Sequence, residues 1–374
     1  MNFTFDKLTA QQRLTLELQH LYQQYGFCQY RMSRFEEYRL YLENQSFLPS
    51  EQVITFTDLD GRLLALKPDV TLSIVKYAQP GAGVQRLYYT ENVYRAARES
   101  GAYREISQMG LELLGWVDDY AKAQVILLAL RSLKATGREY LLDLSHMGFV
   151  VGLLQELDIR EADRDILLEC LREKNAPELR RRAEAAGLCP AKTDLLCRLT
   201  GLYGKFLPTL QQAEALAGGP ATREALAQLR RLYEAIPDAD KADRLRLDLS
   251  MTNDISYYNG VIFRGFVQGV PHCLLAGGQY DRLMERFGKQ GGAMGFALYL
   301  DELDRLEAAA PELDADLLVE YLPGTAADRI AAAVEGYTAQ GLSVLALAAP
   351  ADPALRWGKK LVLTQTTAEE VAKC

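Results

Sequence analysis

Within YREISQMGLELLG (residues 103–115) the two-residue period of a β-strand places Arg104, Ile106, Gln108, Gly110 and Glu112 on one face. A carboxamide and a carboxylate flanking a glycine suit a small polar ligand. The acid accepts N–H donors, the amide offers either hydrogen-bonding sense, and Gly110 leaves room between them. The same pattern also describes a solvent-exposed face of an ordinary antiparallel strand, so the strand alone leaves both readings open. Asp69 and Thr71, following Pro68, could accept hydrogen bonds from an ammonium group. Equally, they could cap the helix that TLSIVKYA predicts, beginning near Asp69. Tyr257 and Tyr258 are adjacent, and in a regular strand they would point to opposite faces, one lining a pocket and one entering the core. Gly277-Gly278-Gln279-Tyr280-Asp281 reads either as a tight turn admitting close approach to a ligand or as a plain turn before a helix.

The elements that must position these groups follow from the same patterning. Leu14, Leu18, Leu21, Tyr22 and Tyr25 recur at helical spacing, so an amphipathic helix is expected between Asp6 and Tyr25. VITFTDLDGRLLAL (53–66) is two apolar runs meeting at Asp60-Gly61, which suits a hairpin with a type I′ turn. RLYYTENVYRAARESGAYREISQMGLELLGW (86–116) predicts a long hairpin around Ser100-Gly101. Helix is expected at about 119–135 and strand at about 139–145. Leu-, Ala-, Glu- and Arg-rich sequence at about 150–243 predicts a helical insertion. Strand pattern returns at LRLDLS, SYYNGVIFRGFV and HCLLAGG, and GFALYLDELDRLEAAA (295–310) reads as a final helix. The expected class is therefore α+β, with one domain over 1–312 interrupted by the insertion. Residues 313–374 form a small C-terminal α/β domain read as strand, helix, strand and a last strand.

Composition narrows the function. The 374 residues are 49% apolar, carry a formal net charge of -8 and have a pI near 5.2, which opposes the phosphate attraction on which nucleic-acid binding depends. The C-terminal piece holds eight acidic residues against Arg329, Arg356, Lys359, Lys360 and Lys373, a poor match for RNA. Six scattered cysteines without a C-x-x-C pair read as reduced thiols of a cytoplasmic protein. No apolar run reaches the ~20 residues of a membrane span, and MNFTFDKLTAQQ does not resemble a signal peptide. G-x-x-x-x-G-K-[ST], H-E-x-x-H and G-x-S-x-G are absent, and G-x-G-x-x-G does not follow a strand. His20, His146 and His272 lack ligand spacing, so no metal site and no cofactor are expected.

Four segments stand in the order and approximate spacing of class II histidyl-tRNA synthetases: KPDVT (67–71), YRAARESGAYREISQMGLELLG (94–115), DISYYNGVIF (254–263), and GGQYDRLMERFG with AMGFALYLDEL (277–303). The chain resembles that family over about 50–303, which implies a class II antiparallel sheet core. The C-terminal piece resembles a reduced anticodon-binding domain. The resemblance implies that Asp69 and Thr71 face the α-ammonium of histidine and that Gln108 meets its amino or carboxylate end. Glu112 with Tyr258, helped by Tyr257, would bind the imidazole.

Departures from the family bear on chemistry. Arg95 stands where the phosphate-binding arginine belongs, but Ala97 replaces an adenine-holding glutamate, Glu302 an arginine at the γ-phosphate, and Asn253 a further arginine. Losing those cations leaves transition-state charge uncompensated, so adenylation is not expected. A synthetase-like fold with a histidine pocket and no ATP clamp is similar to the regulatory subunits of short-form ATP phosphoribosyltransferases. Such a chain would bind a separate short catalytic subunit, pass histidine inhibition to it and self-associate as a dimer. The alternatives are an atypical histidyl-tRNA ligase and a histidine-sensing paralogue with another partner. Arg95 and Arg104 would bind an anion or brace the hairpin.

Overall fold

Near the base of the long hairpin Tyr88, Met109, Leu111 and Leu113 share one face, and their burial decides which way the central sheet faces. The computed structural model describes residues 8–45, 53–79, 83–96, 102–252, 257–304 and 313–371. The chain divides into two compact units, residues 10–306 and residues 1–9 with 307–374.

The larger unit opens with α1 (Ala10–Gln24), whose Leu14, Leu18 and Tyr22 are buried at helical spacing. Next come β1 (Cys28–Gln29), β2 (Phe35–Glu37), α2 (Tyr38–Leu42), β3 (Thr55–Thr57), β4 (Leu63–Leu66) and α3 (Thr71–Tyr77). The hairpin is β5 (Gln85–Ala96) and β6 (Tyr103–Gly115), and its tip at Ser100-Gly101 lies outside the described residues. α4 (Asp119–Lys134) is capped by Asp118, which accepts from the Ala121 amide at 2.8 Å. β7 (Tyr140–His146) leads into α5 (Met147–Glu156), α6 (Glu161–Arg172), α7 (Ala176–Ala185), α8 (Pro190–Arg198), β8 (Tyr203–Lys205), α9 (Phe206–Glu214), α10 (Pro220–Ala235) and α11 (Asp238–Lys241). β9 (Leu245–Asp248), β10 (Val261–Val267), β11 (Leu275–Gln279), α12 (Asp281–Arg286), β12 (Gly292–Tyr299) and α13 (Asp301–Asp304) complete the unit.

Nine strands form one sheet in the order β1-β5-β6-β12-β11-β10-β7-β9-β8, antiparallel except for the parallel pairs β1–β5 and β7–β9. One face carries Tyr88, Met109, Leu111, Leu113, Met294, Phe296, Leu298, Leu275, Phe263 and Leu144, which join α1, α4 and the insertion helices in a single apolar core. Each such side chain withdrawn from water contributes about 1.5–3 kcal/mol. β2, β4 and β3 make a separate three-stranded sheet. No helix among the described residues is long and apolar enough to cross a membrane.

Three expectations need correction. Residues 295–299, read as the start of a helix, belong to β12 (Gly292–Tyr299); its outward residues Ala293, Gly295 and Ala297 are small and apolar, so the polar alternation that marks a strand is missing. The 150–243 segment is not wholly helical, because β8 within it pairs with β9 at the sheet edge. At Asp60-Gly61 the turn is a three-residue loop, with Gly61 N–H donating to Asp58 O at 2.9 Å and Asp58 N–H to Arg62 O at 2.8 Å. Only Gly61 there has positive φ (80°), whereas a type I′ turn needs two such residues.

In the smaller unit, β13 (Ala315–Tyr321), α14 (Ala327–Thr338), β14 (Val344–Ala348), β15 (Trp357–Leu363) and β16 (Ala368–Val371) build a sheet ordered β14-β13-β15-β16. β16, beyond the strands expected, pairs antiparallel to β15. Leu317, Val319, Leu361 and Leu363 pack with Ile330, Ala333 and Tyr337 of α14.

Candidate functional site

The second face of the nine-stranded sheet carries small residues in the middle of two of its cross-strand rows. Reading across β5, β6, β12, β11 and β10, one row is Tyr89, Gly110, Ala297, Ala276 and Arg264; the next is Leu87, Glu112, Gly295, Gly278 and Ile262. Missing Cβ atoms let larger side chains lie flat. A methyl on Gly295 would collide with the Glu112 carboxylate, and one on Gly278 would stand 2.7 Å from the Tyr258 ring. Gly110 corrects an expectation: the room it leaves is taken by the Tyr89 ring from the neighbouring strand, not kept for a ligand.

Glu112 sits at the centre and is 2% exposed, so the strand face is buried rather than solvated. Thr71, at the start of α3, donates its hydroxyl to Glu112 Oε1 at 2.7 Å, and the Tyr280 hydroxyl donates to Oε2. Burial pushes the Glu112 carboxyl up to about 8, the two hydroxyls pull it down in part, and the negative charge of Asp69 adds to the rise. Asp69 Oδ1 accepts from the Leu72 amide at 2.8 Å, so Asp69 does cap α3. Burial raises its pKa as well, against Arg95 and the helix-start amides. Arg95 donates Nε–H to Pro68 O at 2.7 Å and stands 3.7 Å from Asp69 Oδ2. It therefore braces the turn that presents Asp69.

Gln108, 3% exposed, faces the same way between Glu91 of β5 and Tyr299 of β12. Arg104 lies opposite Arg95 on the outer hairpin and is exposed. Tyr257 and Tyr258 are not in a strand, because β10 begins at Val261. Both rings therefore serve one pocket: Tyr257 stacks on Tyr280 (5.5 Å between centroids, 7°) and meets Tyr258 edge-on (4.2 Å, 76°). Tyr280 follows directly on β11, where Gly277 and Gly278 are strand rather than turn. Burial raises the phenol pKa of Tyr89, Tyr257, Tyr258, Tyr280 and Tyr299, chiefly by desolvation. Of the departures noted above, Glu302 lies in α13, while Ala97 and Asn253 fall outside the described residues.

The structure thus brings together Asp69, Thr71, Gln108, Glu112, Tyr257 and Tyr258, and leaves Arg104 apart. Sequence reasoning missed Tyr89, Tyr280, Tyr299 and Arg264. Tyr280 carried a signal in its glycine-rich segment; the others depend on cross-strand register. His146 is structural: its Nδ1 accepts from the Gly148 amide at 3.1 Å, capping α5, and its Nε2 is 2.9 Å from Gln228 Oε1. Chemically, the pocket offers two buried acids and several phenols to a ligand rich in N–H donors.

Known proteins share this fold and sequence pattern. The profile of the histidyl-tRNA synthetase family matches residues 5–303. An ATP phosphoribosyltransferase regulatory subunit from Clostridium acetobutylicum is 30% identical over 310 residues, 80% of this chain and 75% of the relative. A solved ATP phosphoribosyltransferase regulatory subunit/histidyl-tRNA synthetase from Bacillus halodurans superposes with a TM-score of 0.81 at 24% identity, covering 98% of this chain and 100% of that one. An ATP phosphoribosyl transferase complex from Thermotoga maritima contains a chain with the same fold, at a TM-score of 0.61 and 16% identity over 78% of this chain and 97% of that one. The chain belongs to the histidyl-tRNA synthetase family and, within it, to the ATP phosphoribosyltransferase regulatory subunits rather than the tRNA ligases.

Proposed function

We propose that the chain binds histidine between Asp69, Thr71, Gln108, Glu112, Tyr257 and Tyr258, activates a short-form ATP phosphoribosyltransferase catalytic subunit and transmits feedback inhibition by histidine to it. The observation that carries the reading is Glu112, buried, held between two hydroxyls and close to Asp69. An imidazole N–H needs such an acceptor, and an α-ammonium suits Asp69. Thr71 orients the Glu112 carboxylate while its own lone pairs stay able to accept from the ammonium. Arg95 braces, whereas Arg104 on the outer hairpin is the arginine placed to meet an anion.

Function here is coupling rather than chemistry. Histidine binds the active and inhibited arrangements of the complex with different affinity, and the catalytic subunit's ligands change histidine affinity by the same factor. The protein works in the cytoplasm and self-associates as a dimer. Its net charge of -8 disfavours nucleic acid as a partner.

Calorimetry on the purified chain tests the pocket, with histidine and ATP as separate ligands and Glu112→Ala alongside. Histidine is expected to bind the native chain, to lose at least about tenfold in affinity in the variant, and ATP to give no heat. Mixing with the short catalytic subunit is expected to switch on phosphoribosyl transfer that histidine suppresses. Tight ATP binding, or histidine binding that ignores the substitution, would sink the reading.

A further inference from the structure

Glu112 is gripped from two sides, and each side belongs to a different helix. Thr71, donating to Oε1 at 2.7 Å, opens α3, while Tyr280, donating to Oε2, directly precedes α12. Keeping the carboxylate in one place as an acceptor therefore depends on the spacing of α3 and α12.

The far ends of the same two helices meet at Lys289. α12 closes on Gly288, whose positive φ of 66° is a conformation that glycine adopts without strain. The Gly288 amide donates to Glu285 O at 2.9 Å and the Lys289 amide to Met284 O at 3.0 Å, a Schellman ending that fixes the Lys289 backbone on α12. From there the Lys289 ammonium donates to Val75 O, to Lys76 O at 2.7 Å and to Ala78 O, all at the end of α3. An ammonium has three N–H donors, and these three acceptors engage them all. A helix end leaves its last carbonyls without internal partners and carries partial negative charge, so a cation there satisfies both. α3 has a second anchor that runs elsewhere. Ser73 and Lys76 donate to Glu36 of β2 at 3.1 and 2.9 Å, which fastens α3 to the three-stranded sheet rather than to α12. Lys289 thus closes a ring that runs from Glu112 through Thr71 and α3, across the ammonium, and back through α12 and Tyr280.

Resting on the histidine-pocket reading, we propose that Lys289 is a positioning residue of the histidine site, tying α3 to α12 so that both hydroxyls keep the buried Glu112 carboxylate aimed at the ligand. Lys289 acts through Thr71 and Tyr280 and touches no ligand itself.

The test uses the full chain as native protein, Lys289→Met, Lys289→Arg and Lys76→Met, each checked for cooperative thermal unfolding. Lys76→Met cuts the anchor of α3 to β2 and controls for a general loosening of that helix. Ligand-free hydrogen exchange reads the tie directly: Lys289→Met is expected to speed exchange about tenfold in residues 74–78 and 283–289 alike, and Lys76→Met in 74–78 alone. In calorimetry Lys289→Met is expected to lose about tenfold in histidine affinity, with Lys76→Met within about threefold of native. Lys289→Arg is expected to recover part of the loss, because a guanidinium keeps the charge and supplies N–H donors of its own. Exchange in 283–289 that ignores Lys289→Met, histidine affinity within about twofold of native in that variant, or an equal loss in Lys76→Met would each overturn the proposal. Should native protein bind no histidine, the pocket reading fails and this proposal with it, whereas a failure confined to Lys289 leaves native binding intact.

Discussion

Glu112→Gln removes one ionisable group from the centre of the pocket while preserving its shape, and its effect on stability should depend on pH. The Glu112 carboxyl is raised from 4.5 to about 8 by burial. The folded state therefore holds this proton more tightly than the unfolded chain does, so the contribution is fully present below pH 4.5 and is lost as pH rises through 8. Over the whole window of 8 minus 4.5, or 3.5 units, that amounts to about 5 kcal/mol at roughly 1.36 kcal/mol per unit. Between pH 6 and pH 9 about 3 kcal/mol of it is traversed. At 2% exposure, solvent screening takes little from the figure.

The assay is urea unfolding of ligand-free native chain and Glu112→Gln at both pH values. Other titrating groups are common to the two proteins and cancel in the double difference. Native chain is expected to lose about 3 kcal/mol more than the variant on going from pH 6 to pH 9. A double difference below about 1 kcal/mol would refute the reasoning. It would mean that the Thr71 and Tyr280 hydroxyls, both donating to this group, hold it ionised against burial.

Two further predictions probe the frame around the pocket. Gly295→Ala drives a methyl into the Glu112 carboxylate; it is expected to cost about 1–3 kcal/mol in urea unfolding and to abolish histidine binding in calorimetry. On the acid side, burial lowers the His146 pKa from 6.5 to about 4, so stability present above pH 6.5 is lost as pH falls through 4. His146→Asn, which keeps an α5 cap, is expected to remove about 3 kcal/mol of the native chain's loss between pH 7 and pH 4, read by the same unfolding measurement.

How much of this was legible in the sequence depends on whether a residue's partners lie on its own strand. Gln108 and Glu112 were readable because a two-residue period fixes their shared face without reference to a neighbour. Tyr89 was not: its place over Gly110 follows from the β5–β6 register, set across a hairpin tip. β12 was mistaken for helix because a central strand with apolar residues on both faces has no polar alternation, and its length fits either element. Tyr257 and Tyr258 were assigned opposite faces on the assumption of regular strand, and irregular backbone before Val261 removes that constraint. Asp69 shows why single residues stay ambiguous: it caps α3 through one oxygen and faces Arg95 with the other.

Burial of two acids side by side is itself an argument about function. Asp69 and Glu112 both have pKa values raised chiefly by burial, and the charge of Asp69 adds to the rise in Glu112. Tyr89, Tyr257, Tyr258 and Tyr280 crowd the same space with phenols that burial keeps neutral. A region serving stability alone would do better with a neutral amide at 112 and a larger side chain at 295. Glycine in a strand interior weakens the strand, and an acid raised to about 8 opposes folding above neutrality. Such local conflicts between stability and sequence concentrate at binding sites. On the proposed reading, a ligand that brings its own positive charge and N–H donors would resolve the conflict, because its ammonium would offset Asp69 and a protonated ring would let Glu112 ionise. The acids would then stabilise the bound state by the interactions that strain the empty one, and occupancy of the pocket would become a change in local structure that a partner subunit could read.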